Sequence, residues 1–165
     1  VIKTAAIRDE SLFSLLETCQ RRQAAQKHLD EIVARCCSIK KDIVERDEKD
    51  TSERMLLNFG HTIGHALEAY QHYVGLSHGQ AVSAGMAKIT RMSEQRALTY
   101  PGTADRLCAL LKMFSLPCDL PVPLTELRPY LKNDKKNFDS VLKVVLLTSI
   151  GHSRLMDADE TFFTE

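Results

Sequence analysis

Within residues 54–79, RMLLNFGHTIGHALEAYQHYVGLSHG, an arginine, an amide and three imidazoles recur at intervals that can bring chemistry together. Arg54, Asn58, His61 and His65 follow one another at spacings of four, three and four. On a continuous α-helix that spacing puts all four on one face. His78 follows just past a glycine-containing turn. A stripe of this composition does not build a core; it is the wall of a polar site with room for a metal and an anion. Zinc takes neutral imidazole or carboxylate in a tetrahedral set, and catalytic sites leave one position open. His61 and His65 can ligate together as an i,i+4 pair. Alternatively, one of them joins His78 and the other is left for acid–base work or anion binding. HTIGH lacks the glutamate of HExxH, so the metalloprotease base is absent from its usual place. A packing or surface role explains any one of these histidines well and the set poorly. His28, His72 and His152 have no such company and are expected in solvent.

Cations accompany the imidazoles. Arg54, Lys40 and the Lys135–Lys136 pair are candidates for a phosphate or carboxylate subsite, arginine as a fork and lysines as point charges. The DKK loop alone is weak support, since charged loops are usually just solvated. Asn58, one turn below His61, can donate to and accept from a substrate hydroxyl. Lys40 lies on or beside an apolar helix face, so it either snorkels or points into an internal polar pocket. Lys3 sits among apolar neighbours, and its plain reading is a snorkelling surface lysine.

Apolar periodicity supplies the elements that must position these groups. Leu29, Ile32, Val33, Cys36, Ile39, Ile43 and Val44 predict an amphipathic helix over 27–47. After the charged connector 47–53, the site helix is predicted from Glu53 to Tyr70, with Leu56, Ile63, Leu67 and Tyr70 facing a core. Gly60 and Gly64 each cost such a helix about 1 kcal/mol relative to alanine, which points to close approach of a neighbour. Ser77 is the expected N-cap of a third long helix, leaving His78 at its positive end, where neutral imidazole is favoured. Short helices are expected over 1–8 and through SLFSLLETC, the second capped by Asp9 or Ser11. Others are expected from Thr103 to Lys112 and over Leu124–Leu131. VLKVVLLTSI reads as a strand, Gly151 as its turn and HSRLM as its hairpin partner. The tail begins a helix capped by Asp157 or Asp159. The sum is a mainly α, multi-helix domain with a small β-hairpin.

The 165 residues make one domain with a real core. Equal counts of 22 basic and 22 acidic side chains give no steering toward nucleic acid or an acidic membrane. No apolar run approaches the roughly 18 residues of a membrane span. Five cysteines without a CxxC pattern predict free thiols in a reducing compartment, the cytoplasm. Cys36 and Cys37 are expected to be small core residues. The chain opens on Val-Ile-Lys with no initiator methionine, as if inside an element of a longer protein.

RMLLNFGHTIGHALEA, then HGQAVSAGM, then DKK before a strand ending in IG, closely resemble the C-terminal domain of the 3-dehydroquinate synthases, within the sugar-phosphate cyclase family. The resemblance covers most of the chain. It implies a divalent metal, zinc or cobalt, held by a glutamate and two histidines, which fall on His61 and His78. His65 becomes a substrate-contacting or proton-shuttling residue. The family's substrate-binding Arg and Asn fall on Arg54 and Asn58, and two of its lysines on Lys40 and Lys3. The DKK lysine reaching substrate is Lys135 or, by preference, Lys136. The catalytic residues implied are therefore His65, Lys40, Lys3 and Asn58. Gln80 stands where the family usually has glutamate, which removes one carboxylate from the neighbourhood of the site.

The family's metal-binding glutamate would lie just before Val1, and its NAD-binding domain would precede that. The resemblance thus implies that residues 1–165 are a helical C-terminal half that does not act alone, with no assignable NAD contacts of its own. The implied activity is a step of the shikimate pathway. It converts 3-deoxy-D-arabino-heptulosonate 7-phosphate to 3-dehydroquinate plus phosphate, by transient NAD-dependent oxidation, phosphate elimination, reduction and aldol closure. Relatives are commonly homodimers. Two other readings compete: another sugar-phosphate cyclase, making 2-deoxy-scyllo-inosose or a valiolone-type cyclitol, and a non-catalytic metal-binding helical module.

Overall fold

The computed structural model describes residues 1–19, 22–49, 53–131 and 142–164. Helix α1 (Ile2–Arg8) ends at Asp9, whose carboxylate accepts the Leu12 N–H at 2.9 Å and so N-caps α2 (Glu10–Thr18). Together they bury Ile7, Leu12, Phe13 and Leu16. The short α3 (Arg22–Ala25) and a single 3₁₀ turn, Gln26–His28, lead into α4 (Leu29–Arg46). Arg35 of α4 grips Asp9 in a fork, Nη2 to Oδ1 at 2.6 Å and Nε to Oδ2 at 3.0 Å.

The apolar stripe predicted for α4 only partly reaches the core. Ile32 and Ile43 are buried, but Leu29 and Val33 are 53% and 48% exposed, because α4 lies at the edge of the fold against α1 and the segment that follows it. Cys36 is half-buried and packs against the core, whereas Cys37 is exposed and is not the small core residue expected.

The single helix predicted from Glu53 to Tyr70 is two pieces. A 3₁₀ segment, Glu53–Asn58, gives way at Phe59–Gly60 to α5 (His61–Tyr70). Gly60 is the cause. Its φ is +79°, and a Cβ there would meet Met86 Cγ at 2.4 Å and the Val82 carbonyl at 2.7 Å. The chain breaks its helix to lay backbone directly on α6 (His78–Gln95). The close approach foreseen from Gly60 and Gly64 is thus present, at the expense of the continuous stripe.

Helix α6 is central, buried from Ala81 to Ala87 and again at Ile89, Met92 and Ser93. The Ser77 N–H donates to Gln80 Oε1 at 2.9 Å at its start. Helix α7 (Thr103–Met113) begins where Glu94 accepts the N–H groups of Gly102 and Ala104, and α8 (Leu124–Leu131) packs on α5 with Pro129 inside it. Strands β1 (Leu142–Ser149) and β2 (His152–Ala158) form the antiparallel hairpin, Leu142 opposite Ala158. The Gly151 N–H ties it to the Ala6 carbonyl at 2.8 Å. In place of the tail helix there is one 3₁₀ turn, Glu160–Phe163, capped by Asp159. The fold is mainly α with one small hairpin, and no helix among the described residues is long and apolar enough to cross a membrane.

Candidate metal and anion site

Starting α5 at His61 puts two imidazoles one turn apart on its first two turns, and starting α6 at His78 brings the third against them. The ring centroids of His61 lie 5.2 Å from both His65 and His78, and those of His65 and His78 are 5.8 Å apart. One ligand nitrogen from each ring lies within 4.8 Å of the others. Zinc–nitrogen bonds of about 2.0–2.1 Å place tetrahedral donors roughly 3.3 Å apart, a spacing inside the 4.8 Å limit of this cluster. Imidazole nitrogens suit zinc or cobalt.

Protonation favours the same use. Burial pushes the His61 imidazolium down to about 4, helped by the nearby Lys3 charge, so the ring is neutral at physiological pH. His61 Nδ1 lies 3.2 Å from the Phe59 carbonyl. A carbonyl only accepts, so the proton sits on Nδ1 and Nε2 keeps its lone pair. His78 Nδ1 lies 3.1 and 3.2 Å from the two carboxylate oxygens of Glu68.

Beside the imidazoles are two cavities that share Lys3. An open one of about 460 Å³ is lined by Lys3, Lys40, Arg54 and Asn58, with Cys36 and Cys37 on its α4 wall. No carboxylate lines it among the described residues. The other, about 720 Å³, takes Lys3, His61 and His78 into a wall otherwise largely apolar, including Ile32, Val82 and Met86. Lys3 is half-buried rather than a free surface lysine. Burial, and then the Lys40 charge, lower its pKa from the ordinary lysine value. Lys40 is exposed overall and lines the open cavity rather than an enclosed pocket. Arg54 is set by its neighbours: its N–H donates to Asp47 at 2.9 Å and its Nη1 to the Glu48 carbonyl at 3.1 Å. Three cations and an amide line this cavity with no carboxylate among its described lining residues, a composition that can hold an anion.

Lys3, Lys40, Arg54, Asn58, His61, His65 and His78 therefore fall in one neighbourhood, although Arg54 and Asn58 do not share a helix face with the histidines. Lys135 and Lys136 lie outside the described residues. His28, His72 and His152 are exposed, as expected. Glu68 was not anticipated. Its signal was its position three residues after His65, on the same face of α5.

Residues 1–137 match the family model described as 3-dehydroquinate synthase C-terminal. The 3-dehydroquinate synthase of Clostridium beijerinckii is 41% identical over 165 residues, 99% of this chain and 47% of that protein. That of Clostridium botulinum is 43% identical over 164 residues, again 99% and 47%. The chain thus spans about half the length of these curated relatives. Among solved structures, 2-epi-5-epi-valiolone synthase from Streptomyces hygroscopicus subsp. jinggangensis 5008, with NAD+ and Zn2+ bound, superposes with a TM-score of 0.80 at 22% identity. The match covers 98% of this chain and 46% of that one. A 2-deoxy-scyllo-inosose synthase complexed with carbaglucose-6-phosphate, NAD+ and Co2+ gives 0.80 at 22%, covering 98% and 48%. At that identity the likeness is one of fold.

Proposed function

Because the chain belongs to the 3-dehydroquinate synthase family, in its C-terminal domain, we propose that residues 1–165 are the metal- and substrate-binding half of a 3-dehydroquinate synthase. The whole enzyme would convert 3-deoxy-D-arabino-heptulosonate 7-phosphate to 3-dehydroquinate and phosphate. One observation carries the reading: three imidazoles, each with a ligand nitrogen within 4.8 Å of the others, adjoin, through Lys3, a cavity lined by cations and an amide.

His61 and His78 would hold a divalent ion, zinc or cobalt, with the family's glutamate as a further ligand from polypeptide preceding Val1. The three-imidazole cluster and the neutral His61 ring fit such an ion. When bound, it supplies Lewis acidity to the substrate oxygens whose charge changes during the reaction. Arg54, Lys40 and Lys3 would hold carboxylate and phosphate, with Asn58 on a hydroxyl, so that successive steps share one bound pose. His65 would contact substrate and take up or release a proton at its ring nitrogen. One lysine of the DKK segment, Lys136 by preference over Lys135, would add a further substrate contact. No glycine-rich GxGxxG fingerprint occurs in the chain. NAD would be held by the other half of the whole enzyme, as the resemblance to the family implies.

The test joins this chain to the NAD-binding half of the Clostridium beijerinckii relative and supplies NAD with zinc or cobalt. Turnover of the heptulosonate phosphate, and not of sedoheptulose 7-phosphate or glucose 6-phosphate, is the expected result. Preference for either of the latter would make the chain part of another sugar-phosphate cyclase. Failure on all three by a folded, metal-loaded protein would overturn the enzymatic reading.

A further inference from the structure

We propose that Glu68 is the positioning residue of the metal centre: its carboxylate on α5 holds the His78 ring of α6 by Nδ1, fixing the tautomer that offers Nε2 to the metal. The proposal rests on the metal-centre reading above.

His78 needs such a hold. It is the first residue of its helix, is followed by a glycine, and its side chain is 56% exposed, so packing does little to fix the ring. The Glu68 side chain is only 13% exposed and both of its oxygens lie within hydrogen-bond distance of His78 Nδ1, at 3.1 and 3.2 Å. An ionised carboxylate only accepts, so Nδ1 carries the proton and the lone pair is left on Nε2. The Phe59 carbonyl does the same for His61 at 3.2 Å. Two rings from different helices are thus set in one tautomer by two different oxygen acceptors. Outer acceptors of this kind orient ligating imidazoles and raise their basicity.

Position adds a second effect. Glu68 belongs to the same helix as His61 and His65, so the ring brought by α6 is tethered to the element carrying the other two. The three imidazoles then keep their spacing as one body. The Gln80 side chain is committed to the start of α6, accepting from the Ser77 N–H and hydroxyl, so it does not substitute for Glu68.

The experiment uses the full chain and two readouts. In metal-free, ¹⁵N-histidine-labelled protein, two-bond ¹H–¹⁵N correlations report which ring nitrogen of His78 is protonated. Zinc affinity is then measured by competition with a chromophoric chelator. Wild-type His78 is expected as the Nδ1–H tautomer. Glu68→Ala should give mixed tautomers and zinc binding about 10- to 100-fold weaker. Glu68→Gln, which keeps an oxygen acceptor, should recover most of both. Unchanged His61 resonances in the alanine variant show that α5 is intact.

A mixed His78 tautomer in wild type, or unaltered zinc affinity in Glu68→Ala, overturns the proposal while leaving the metal centre standing. Equal loss in the glutamine and alanine variants also overturns it, making Glu68 itself a ligand. If the wild-type chain takes up no zinc at all while His78 keeps its Nδ1–H tautomer, it is the metal-centre reading that fails, and the proposal falls with it.

Discussion

Gly85 of α6 lies against the backbone of Gly60: a Cβ on Gly85 would sit 2.3 Å from the Gly60 carbonyl oxygen and 2.9 Å from the Gly64 nitrogen. This contact sets the distance between the helix carrying His61 and His65 and the helix carrying His78. Gly85→Ala must push the helices apart, because backbone cannot give way as a flexible side chain does. The expected cost is about 2 kcal/mol or more in urea unfolding, with a loss of zinc affinity. Gly79→Ala is the control, since nothing lies within 4 Å of its added methyl. It should be neutral or slightly stabilising.

The Asp9–Arg35 fork should make the fold acid-sensitive in a defined window. Partial burial raises the Asp9 pKa, but hydrogen bonds from Arg35, the Leu12 N–H and Ser11 outweigh it, and the carboxyl ends below its ordinary 3.8. A depressed carboxyl contributes stability above the unfolded value and loses it as pH falls through the folded one. Asp9→Asn should therefore cost about 1–3 kcal/mol at pH 7. The gap to wild type should begin to close below about pH 4 and vanish at still lower pH. Parallel urea titrations at pH 7, 5 and 3 check the sign.

Lys3 and Lys40 share one cavity, and their repulsion is measurable without substrate. Burial, then the Lys40 charge, hold the Lys3 ammonium below the ordinary 10.5. In ¹³C-dimethylated protein the Lys3 methyl resonance should titrate at lower pH than the exposed lysines. Lys40→Met should move it upward. A Lys3 midpoint indifferent to Lys40 would separate the two charges and dissolve the anion site.

The thiols should divide sharply by reactivity. Burial pushes the Cys108 thiol up to about 11, with the Arg91 charge opposing, whereas Cys37 is exposed. At pH 8 a thiol near 11 is about one part in a thousand thiolate. Native protein treated with iodoacetamide should label Cys37 within minutes and Cys108 only after unfolding, as read by peptide mass mapping.

What was legible in the sequence depended on the range of the cause. The hairpin, the Asp9 cap and the start of α6 at His78 follow from local patterns of alternation, capping and turn residues, and the structure has them. The Glu53–Tyr70 stripe did not survive, because periodicity counts residues and is blind to the positive φ at Gly60. Arg54 and Asn58 still reach the site region, by tertiary folding rather than by a shared face. Leu29 and Val33 have helical spacing but stay about half exposed among the described residues, a property of the helix's place and not of its pattern. The meeting of Lys3 with Lys40 is long-range, and only the resemblance pointed to it. Glu68 carried a visible signal, its offset from His65, but acids on helices are usually solvated, and only its distance to His78 distinguishes it.

We read His61, His65 and His78 as a metal centre. The most direct measurement is cobalt(II) titration of the full chain, followed by visible ligand-field absorption, in wild type and in His61→Ala and His78→Ala. Saturation is expected at one equivalent, with absorption characteristic of imidazole-bound cobalt, and affinity weakened by about tenfold or more in each variant. No binding, or binding indifferent to both substitutions, would contradict it.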